Sequence, residues 1–314
     1  MMISDFKQKD VEQARQLALS NYNEERAALP ALPAIESTPD IGEFAQNGLG
    51  VAMYEGETML GFLCGQKFDN FGIKRVYSPE HAHGAIKQNR AKIYSRLYQA
   101  ASEKWVTQKA LIHSVTLYSH DETAKHSFFN NVFGACVMYA AMDISKSPNI
   151  RKCDNERYEL CELTPERFGE VLPLQNKLLS HLRQAPVFLP YEKITQERFA
   201  TFKGKRYFAA LEDNQIIAYL RTQENAENFV TCDAGTVNIT GAYMYPEHRG
   251  AGVYTGLLSF VVDTMRAEGY ERISVDFETY NPNALGFWTK YFTPYTTSVT
   301  RSIEPQILNT REID

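Results

Sequence analysis

The sequence predicts an α/β (α+β) protein built from two similar domains, and three observations lead there. The chain has 314 residues, a length that suits two domains of ordinary size. The same order of helices and strands recurs in each half. Letters recur as well: Pro79-Glu80-His81 returns as Pro246-Glu247-His248, and Phe128-Phe129 lines up with Phe287-Trp288. The first offset, 79 to 246, is 167 residues and the second, 128 to 287, is 159. The difference places about eight extra residues in the first copy, most simply in the long helical stretch Arg90–Gln108. An internal duplication is therefore expected, with domains at 1–146 and 155–307. The polar, proline-bearing Ser145–Asn149 suits a linker near the junction.

The elements follow in order. Lys9–Leu19 carries Val11, Ala14, Leu17 and Ala18 at helical spacing. Pro30, Pro33 and Pro39 then impose a loop. Val51–Tyr54 and Met59–Leu63 read as two short strands around the turn Glu55-Gly56-Glu57. The second half begins the same way. Pro165–Leu182 has Phe168, Val171, Leu174, Leu178 and Leu182 on one side, and Tyr207–Leu211 and Ile216–Leu220 form another strand–turn–strand.

Composition narrows the function classes. Hydrophobic residues make up 44% and charged residues 23%, too apolar for a disordered chain. With 33 basic and 38 acidic residues the net charge is −5, which argues against nucleic acid as the main partner. No apolar run reaches the roughly 18–20 residues of a membrane-spanning helix, and the N-terminus does not read as a signal peptide. Five cysteines without C-x-x-C spacing point to reduced thiols. His81, His83, His113, His120 and His126 show no ligand spacing, so no metal is expected. A cytoplasmic protein acting without nucleic acid or membrane is the expectation.

The informative stretch begins at Thr236. A β-rich run to Tyr245 ends at Pro246-Glu247-His248-Arg249-Gly250-Ala251-Gly252, and a helical pattern follows through Met265. Unpaired N–H donors at a helix start, glycines that let the backbone approach and an arginine beside them make an anion site. A plain tight turn fits these letters equally well. The strand Glu271–Tyr280 comes next. Ile273, Val275 and Phe277 share one face, with Asp276 and Glu278 on the other. A short helix starts near Pro282, and a final strand runs from Thr296 to Ile303.

Arg249-Gly250-Ala251-Gly252 resembles the R-x-x-G-x-G/A loop of the GNAT superfamily of acetyl-CoA-dependent acyltransferases up to its last position. Asn281…Ala284…Phe287-Trp288-Thr289-Lys290 looks like that family's N…A…F-Y-x-K segment. The resemblance implies two GNAT-like domains, each a mixed, mainly antiparallel twisted sheet flanked by helices. It implies acetyl-CoA as co-substrate and direct attack by a primary amine, on a small molecule, in a ternary complex. Backbone groups of Tyr243, Met244 and Tyr245 would meet the pantetheine arm. Those from Arg249, Gly250, Ala251 and Gly252 through Val253 and Tyr254 would hold the pyrophosphate, with Asn281 beside the pantetheine or acetyl group. Tyr254 departs from the small residue usual there, and Trp288 from the tyrosine that protonates the leaving thiolate. Tyr291, one turn on, could supply a phenol. Asp276 and Glu278 are the candidate bases or else solvated carboxylates, and His248 reads better as structural.

In the first copy, Ala82 and His83 fall where Arg249 and Gly250 stand, so that half is expected to be degenerate. His181–Tyr191, with Phe188 and Tyr191, would shape the acceptor pocket or pack elsewhere, and the net negative charge mildly favours a cationic acceptor. Two other functions stay open. One is a non-catalytic protein binding acyl-CoA or a partner. The other is aminoacyl transfer from a charged tRNA.

Overall fold

The computed structural model describes residues 1–309 except 147, 154, 203, 226 and 227. Ser147, within the expected linker, lies outside the described residues. In chain order the first half gives β1 (Met2–Asp5), α1 (Val11–Ala28), β2 (Val51–Glu55), β3 (Thr58–Leu63), β4 (Gln66–Asn70) and β5 (Ile73–Ser78). It continues with β6 (His83–Ala85), α2 (Arg90–Thr107), β7 (Ile112–Tyr118), α3 (Glu122–Phe129) and β8 (Gly134–Asp143). The second half gives β9 (Glu159–Glu162), α4 (Leu172–Leu182), α5 (Gln196–Ala200), β10 (Arg206–Glu212) and β11 (Gln215–Gln223). After these come β12 (Thr236–Met244), α6 (Val253–Ala267), β13 (Arg272–Glu278), α7 (Pro282–Trp288) and β14 (Thr293–Ser302). Among the described residues, no helix is long and apolar enough to cross a membrane.

Two compact units form, and they are cut differently from the linear halves. The first holds Met1–Pro30, Ala34–Met138 and the chain from Pro294 on. The second holds Ala31–Pro33 and Tyr139–Thr293. The last strand thus belongs to the first unit. β14 pairs antiparallel with β7 from Thr296↔Tyr118 to Ser302↔Ile112. Thr116 and Ser298 share a hydroxyl bond of 2.7 Å across this seam, and Ser114 and Thr300 one of 2.9 Å. Val299 joins the first unit's core beside Val115, Leu117, Trp105 and Phe128. Sequence adjacency predicts domain membership poorly here, because pairing and burial decide it.

In the first unit, β1, β2, β3 and β6 form one sheet, while β4, β5, β7 and β14 lie side by side in another. α1 runs well past the expected Leu19. Its inner face continues through Asn21, Tyr22 and Glu25, and the polar members hide the stripe from a hydrophobic reading. Asn21 makes a reciprocal pair with the Ala85 backbone, at 3.1 and 3.0 Å. Glu25 accepts from the His120 ring at 2.7 Å.

The second unit lines up β8, β13, β12, β11, β10 and β9. Successive residues of β10 point to opposite sides. Tyr207 meets Phe168 and Tyr219 in a cluster with Leu174 and Tyr243, and Phe208 meets Phe260 of α6. α6 buries Val253, Leu257, Leu258, Val261, Val262 and Met265, so truncating Leu257 to alanine would cost about 2–5 kcal/mol. The stretch expected as one helix over Pro165–Leu182 is a 3-10 segment, Pro165–Val171, followed by α4. Pro173 falls in the first turn of α4, where a missing N–H costs nothing.

Candidate active site

β12 and β13 run parallel and pair from Thr236↔Arg272 to Ile239↔Val275. Beyond that pair they part, while β12 stays with β11 as far as Ala218↔Met244. A β-bulge marks the parting. Arg221 pairs with Gly241 and Thr222 with Ile239, which leaves Thr240 unopposed. The gap opens into a cavity of about 650 Å³. Tyr245 N–H donates to Ile217 O at 3.1 Å. Two-residue alternation then turns the backbone groups of Tyr243 and Tyr245 toward β11, and those of Ala242 and Met244 toward the gap. Of the three residues expected to offer their backbone, only Met244 does so. Tyr243 still lines the cavity and Tyr245 does not.

Arg221 secures the bulge. Its Nη2 donates to Thr240 O, its Nε to Thr240 Oγ1 at 3.2 Å and its Nη1 to Gln175 Oε1 at 3.2 Å. Tyr219 donates to the same Gln175 oxygen at 2.8 Å. A Cβ at Gly241 would stand 3.0 Å from Arg221 Cζ, so any side chain there would press the guanidinium aside by a few tenths of an ångström.

At the other end of the cavity, Gly250 and Gly252 adopt φ of +85° and +77°, which costs a residue with Cβ roughly 1–2 kcal/mol. Gly252 is the N-cap of α6, and no side chain caps that helix. By contrast, Asp121 caps α3 and Asn281 caps α7. The first N–H groups of α6 and the positive end of its dipole therefore face the loop unanswered. Arg249 lies beside them, its Nη2 3.3 Å from Met244 O and its guanidinium 6.0 Å from the Tyr243 ring. Such a set of donors and charge suits an anion. Gly250 and Gly252 line the cavity. Ala251 and Val253 contribute no side chain to it, Ala251 being exposed and Val253 fully buried.

The first unit departs from its sequence alignment here. Pro79-Glu80-His81 does not lead into a helix. Ala82 N–H donates to Pro79 O at 2.9 Å, Cys64 N–H donates to Ala82 O at 2.8 Å, and β6 follows. Ala82 is buried, so Ala82 and His83 are not the counterparts of Arg249 and Gly250. The residues that enter α2 are Ile86–Asn89, with Asn89 as N-cap at φ +59°. The three-letter match precedes a strand in one unit and a helix in the other.

Both candidate bases line the cavity. Asp276 is exposed and Glu278 half-buried. Burial raises the Glu278 carboxyl above its ordinary value, against the opposing pull of its own N–H and of His181. Asn281 also lines the cavity, though its Oδ1 accepts from Ala284 N–H at 3.4 Å as the cap of α7. Trp288 is buried against Phe287 and Phe292. Tyr291 does not line the cavity, and its hydroxyl lies 3.4 Å from Thr255 Oγ1. Tyr254 does line it, with its ring 5.1 Å from that of Phe287 and 6.4 Å from that of Trp288. The Tyr254 hydroxyl is buried without a hydrogen-bond partner, and burial, then the neighbouring Tyr219, holds its pKa well above the ordinary value. His248 faces Glu212 at 3.6 Å, outside the lining.

Sequence reasoning missed Gln175 and Arg221 as lining residues, whereas His181, the first residue of the expected acceptor stretch, does line the cavity. The signals were present. Gln175 interrupts an apolar helix face between Leu174 and Leu178, and Arg221 follows the apolar run Ile216–Leu220. On the acceptor loop, Tyr191 lines the cavity while Phe188 is 70% exposed.

Residues 176–292 match the model of the acetyltransferase (GNAT) family. No curated protein sequence matches the chain. A GCN5-related N-acetyltransferase from Sphaerobacter thermophilus superposes with a TM-score of 0.60 at 12% identity, covering 97% of this chain and 96% of that one. The GCN5-related glucosamine N-acetyltransferase region of a fungal multi-domain GH3 β-N-acetylglucosaminidase superposes at 0.54 and 11% identity, covering 95% of this chain and 38% of that one. At such identities the likeness is one of fold. The stretch that matches the acetyltransferase (GNAT) family, residues 176–292, holds the bulged strand, the glycine loop, α6, β13 and α7.

Proposed function

We propose that the second unit transfers an acetyl group from acetyl-CoA to a primary amine on a small molecule, by direct attack in a ternary complex. One observation carries this reading. An uncapped helix N-terminus with two left-handed glycines and Arg249 opens onto a strand splay that continues as a single cavity. The N–H groups from Gly250 through Thr255 and Arg249 hold the pyrophosphate. Ala242 and Met244 offer backbone groups to the pantetheine arm, and an N–H of this edge stabilises the charge that develops on the thioester oxygen. Glu278 takes the proton of the attacking amine, directly or through water. The nitrogen bonds to the carbonyl carbon, the C–S bond breaks, and the thiolate takes a proton. Tyr254 supplies that proton in place of Tyr291, because its phenol lines the cavity and is kept protonated by burial. The first unit, without a comparable loop, contributes fold and no cofactor site.

Calorimetric titration with acetyl-CoA tests this reading. One site per chain, weakened by Arg249→Ala, is the expected result. Two sites would restore a cofactor role to the first unit, and no binding would remove the assignment altogether.

A further inference from the structure

Arg221 is a cation without a counter-ion. Other half-buried arginines of the second unit meet carboxylates: Arg206 grips Glu162 and Glu268, Arg272 meets Asp233, and Arg167 meets Glu170. Among the described residues, Arg221 makes no ion pair. Its partners, Thr240 O, Thr240 Oγ1 and Gln175 Oε1, are neutral oxygens that orient the guanidinium and leave its charge in place. Arg221 nonetheless lines the cavity. A half-buried charge answered by dipoles alone is costly unless a ligand completes it.

A second cation stands close. Lys205 Nζ lies 4.2 Å from the centre of the Phe202 ring, and Arg221 Cζ lies 5.9 Å from the same ring. Among the described residues, Lys205 too makes no ion pair. Burial, then the Arg221 charge, lowers the Lys205 pKa to about 8. Two like charges converging on one ring is an arrangement that an anion would relieve.

That anion is not the pyrophosphate. Arg249 bonds Met244 O and Arg221 bonds Thr240 O. These carbonyls are four positions apart along one strand, about 13 Å at the usual rise per residue. The two arginines therefore serve different ends of the cavity, and Arg221 stands at the bulge, away from the glycine loop. The cavity also holds Asp276 and Glu278, so it offers carboxylates to an amine and a guanidinium to an anion.

We propose that the acceptor is zwitterionic: its amine meets Glu278 while an anionic group, a carboxylate or a phosphate, is held by Arg221, with the charge of Lys205 acting from outside the cavity lining. The proposal rests on the acetyl-transfer reading above and reverses the cationic preference drawn from net charge. A guanidinium fork suits both anions.

The test compares matched acceptors with the intact chain: β-alanine against ethylamine, phenylalanine against phenethylamine, and phosphoethanolamine against ethanolamine. Release of free thiol from acetyl-CoA is followed. The anionic member of at least one pair is expected to show kcat/KM about tenfold or more above its partner, and the winning pair separates carboxylate from phosphate. Arg221→Gln should erase that preference, Arg221→Lys should restore part of it, and Lys205→Gln, away from the bulge, should reduce it about threefold. Equal or better use of the uncharged-tail members would overturn the proposal. If none reacts, calorimetric binding of the same pairs decides, and absence of an anion preference there also overturns it. Loss of acetyl-CoA binding would sink the transfer reading instead, while the anion preference remains measurable by itself.

Discussion

Both units contain a strand that pairs in parallel and then leaves its neighbour, and they treat the resulting gap in opposite ways. In the second unit, β12 leaves β13 after Ile239↔Val275 and the gap stays open as the cavity. In the first, β5 pairs with β7 as far as Ser78↔Val115, and the chain then turns away into β6. There the His83 ring fills the space. Its Nε2–H donates to Thr116 O at 2.7 Å, and Tyr94 donates to its Nδ1 at 3.0 Å. The connection to the next helix is Ile86–Asn89 in the first unit and Tyr245–Gly252 in the second, twice as long. One architecture thus yields an open cavity or a sealed core, depending on a loop and one buried side chain.

The sharpest way to break this comparison is to exchange the loops. Replacing Tyr245–Gly252 with the sequence Ile86–Asn89 removes Arg249, both left-handed glycines and the approach to α6. Two lost charge-assisted contacts at about 1.5–3 kcal/mol each should weaken acetyl-CoA binding 100-fold or more. Retained calorimetric affinity would show that the loop is not the anion site. Next in size is Tyr254→Phe, which leaves the ring packing on Phe287 and Trp288 in place. Turnover should fall about 100-fold with acetyl-CoA affinity unchanged, while Tyr291→Phe stays near the parent rate. The reverse ranking would return the proton to Tyr291.

Glu278 gives a smaller, pH-dependent effect. A base acts only when deprotonated, and burial raises the Glu278 pKa. kcat/KM should therefore climb with pH through a value above the ordinary carboxylate range. In Glu278→Gln that limb should vanish, with rates about tenfold lower on the alkaline side and little changed on the acid side. An unaltered profile would remove Glu278 from the mechanism and leave Asp276.

Much of the second unit was legible because its signals are local. The alternation Ile273, Val275, Phe277 fixed β13, and the glycines at 250 and 252 marked the turn into α6. The cavity's far wall was less legible, because Gln175, Arg221 and Thr240 meet only after three elements pack. The first unit misled for the same reason. Pro79-Glu80-His81 matched in letters, while its role depends on Cys64 and β3 across the sheet. The placement of β14 in the first unit was equally hidden, since no local pattern in Thr293–Ser302 names β7 as its neighbour.

His83 is where the comparison predicts the least for cofactor binding and the most for stability. On the function proposed above, His83→Ala should leave acetyl-CoA affinity untouched, because that reading gives the first unit no cofactor site. It should nevertheless cost about 3 kcal/mol, since Thr116 O and the Tyr94 hydroxyl would lose their partner in a buried place. The wild-type chain adds a pH signature. Burial lowers the His83 pKa from 6.5 to about 4, against the opposing hydrogen bond to Thr116. The unfolded chain therefore binds the proton more readily than the folded one across that window. The stabilisation is complete above pH 6.5 and is lost as pH falls toward 4. His81 and His113, both also lowered to about 4, act in the same direction. Denaturant titrations at pH 7 and pH 5 should show a smaller difference in His83→Ala than in the parent. An unchanged difference would mean that His83 is no plug and that the two gaps differ for another reason, while a gain of acetyl-CoA binding in the variant would mean that the first unit holds a site which His83 closes.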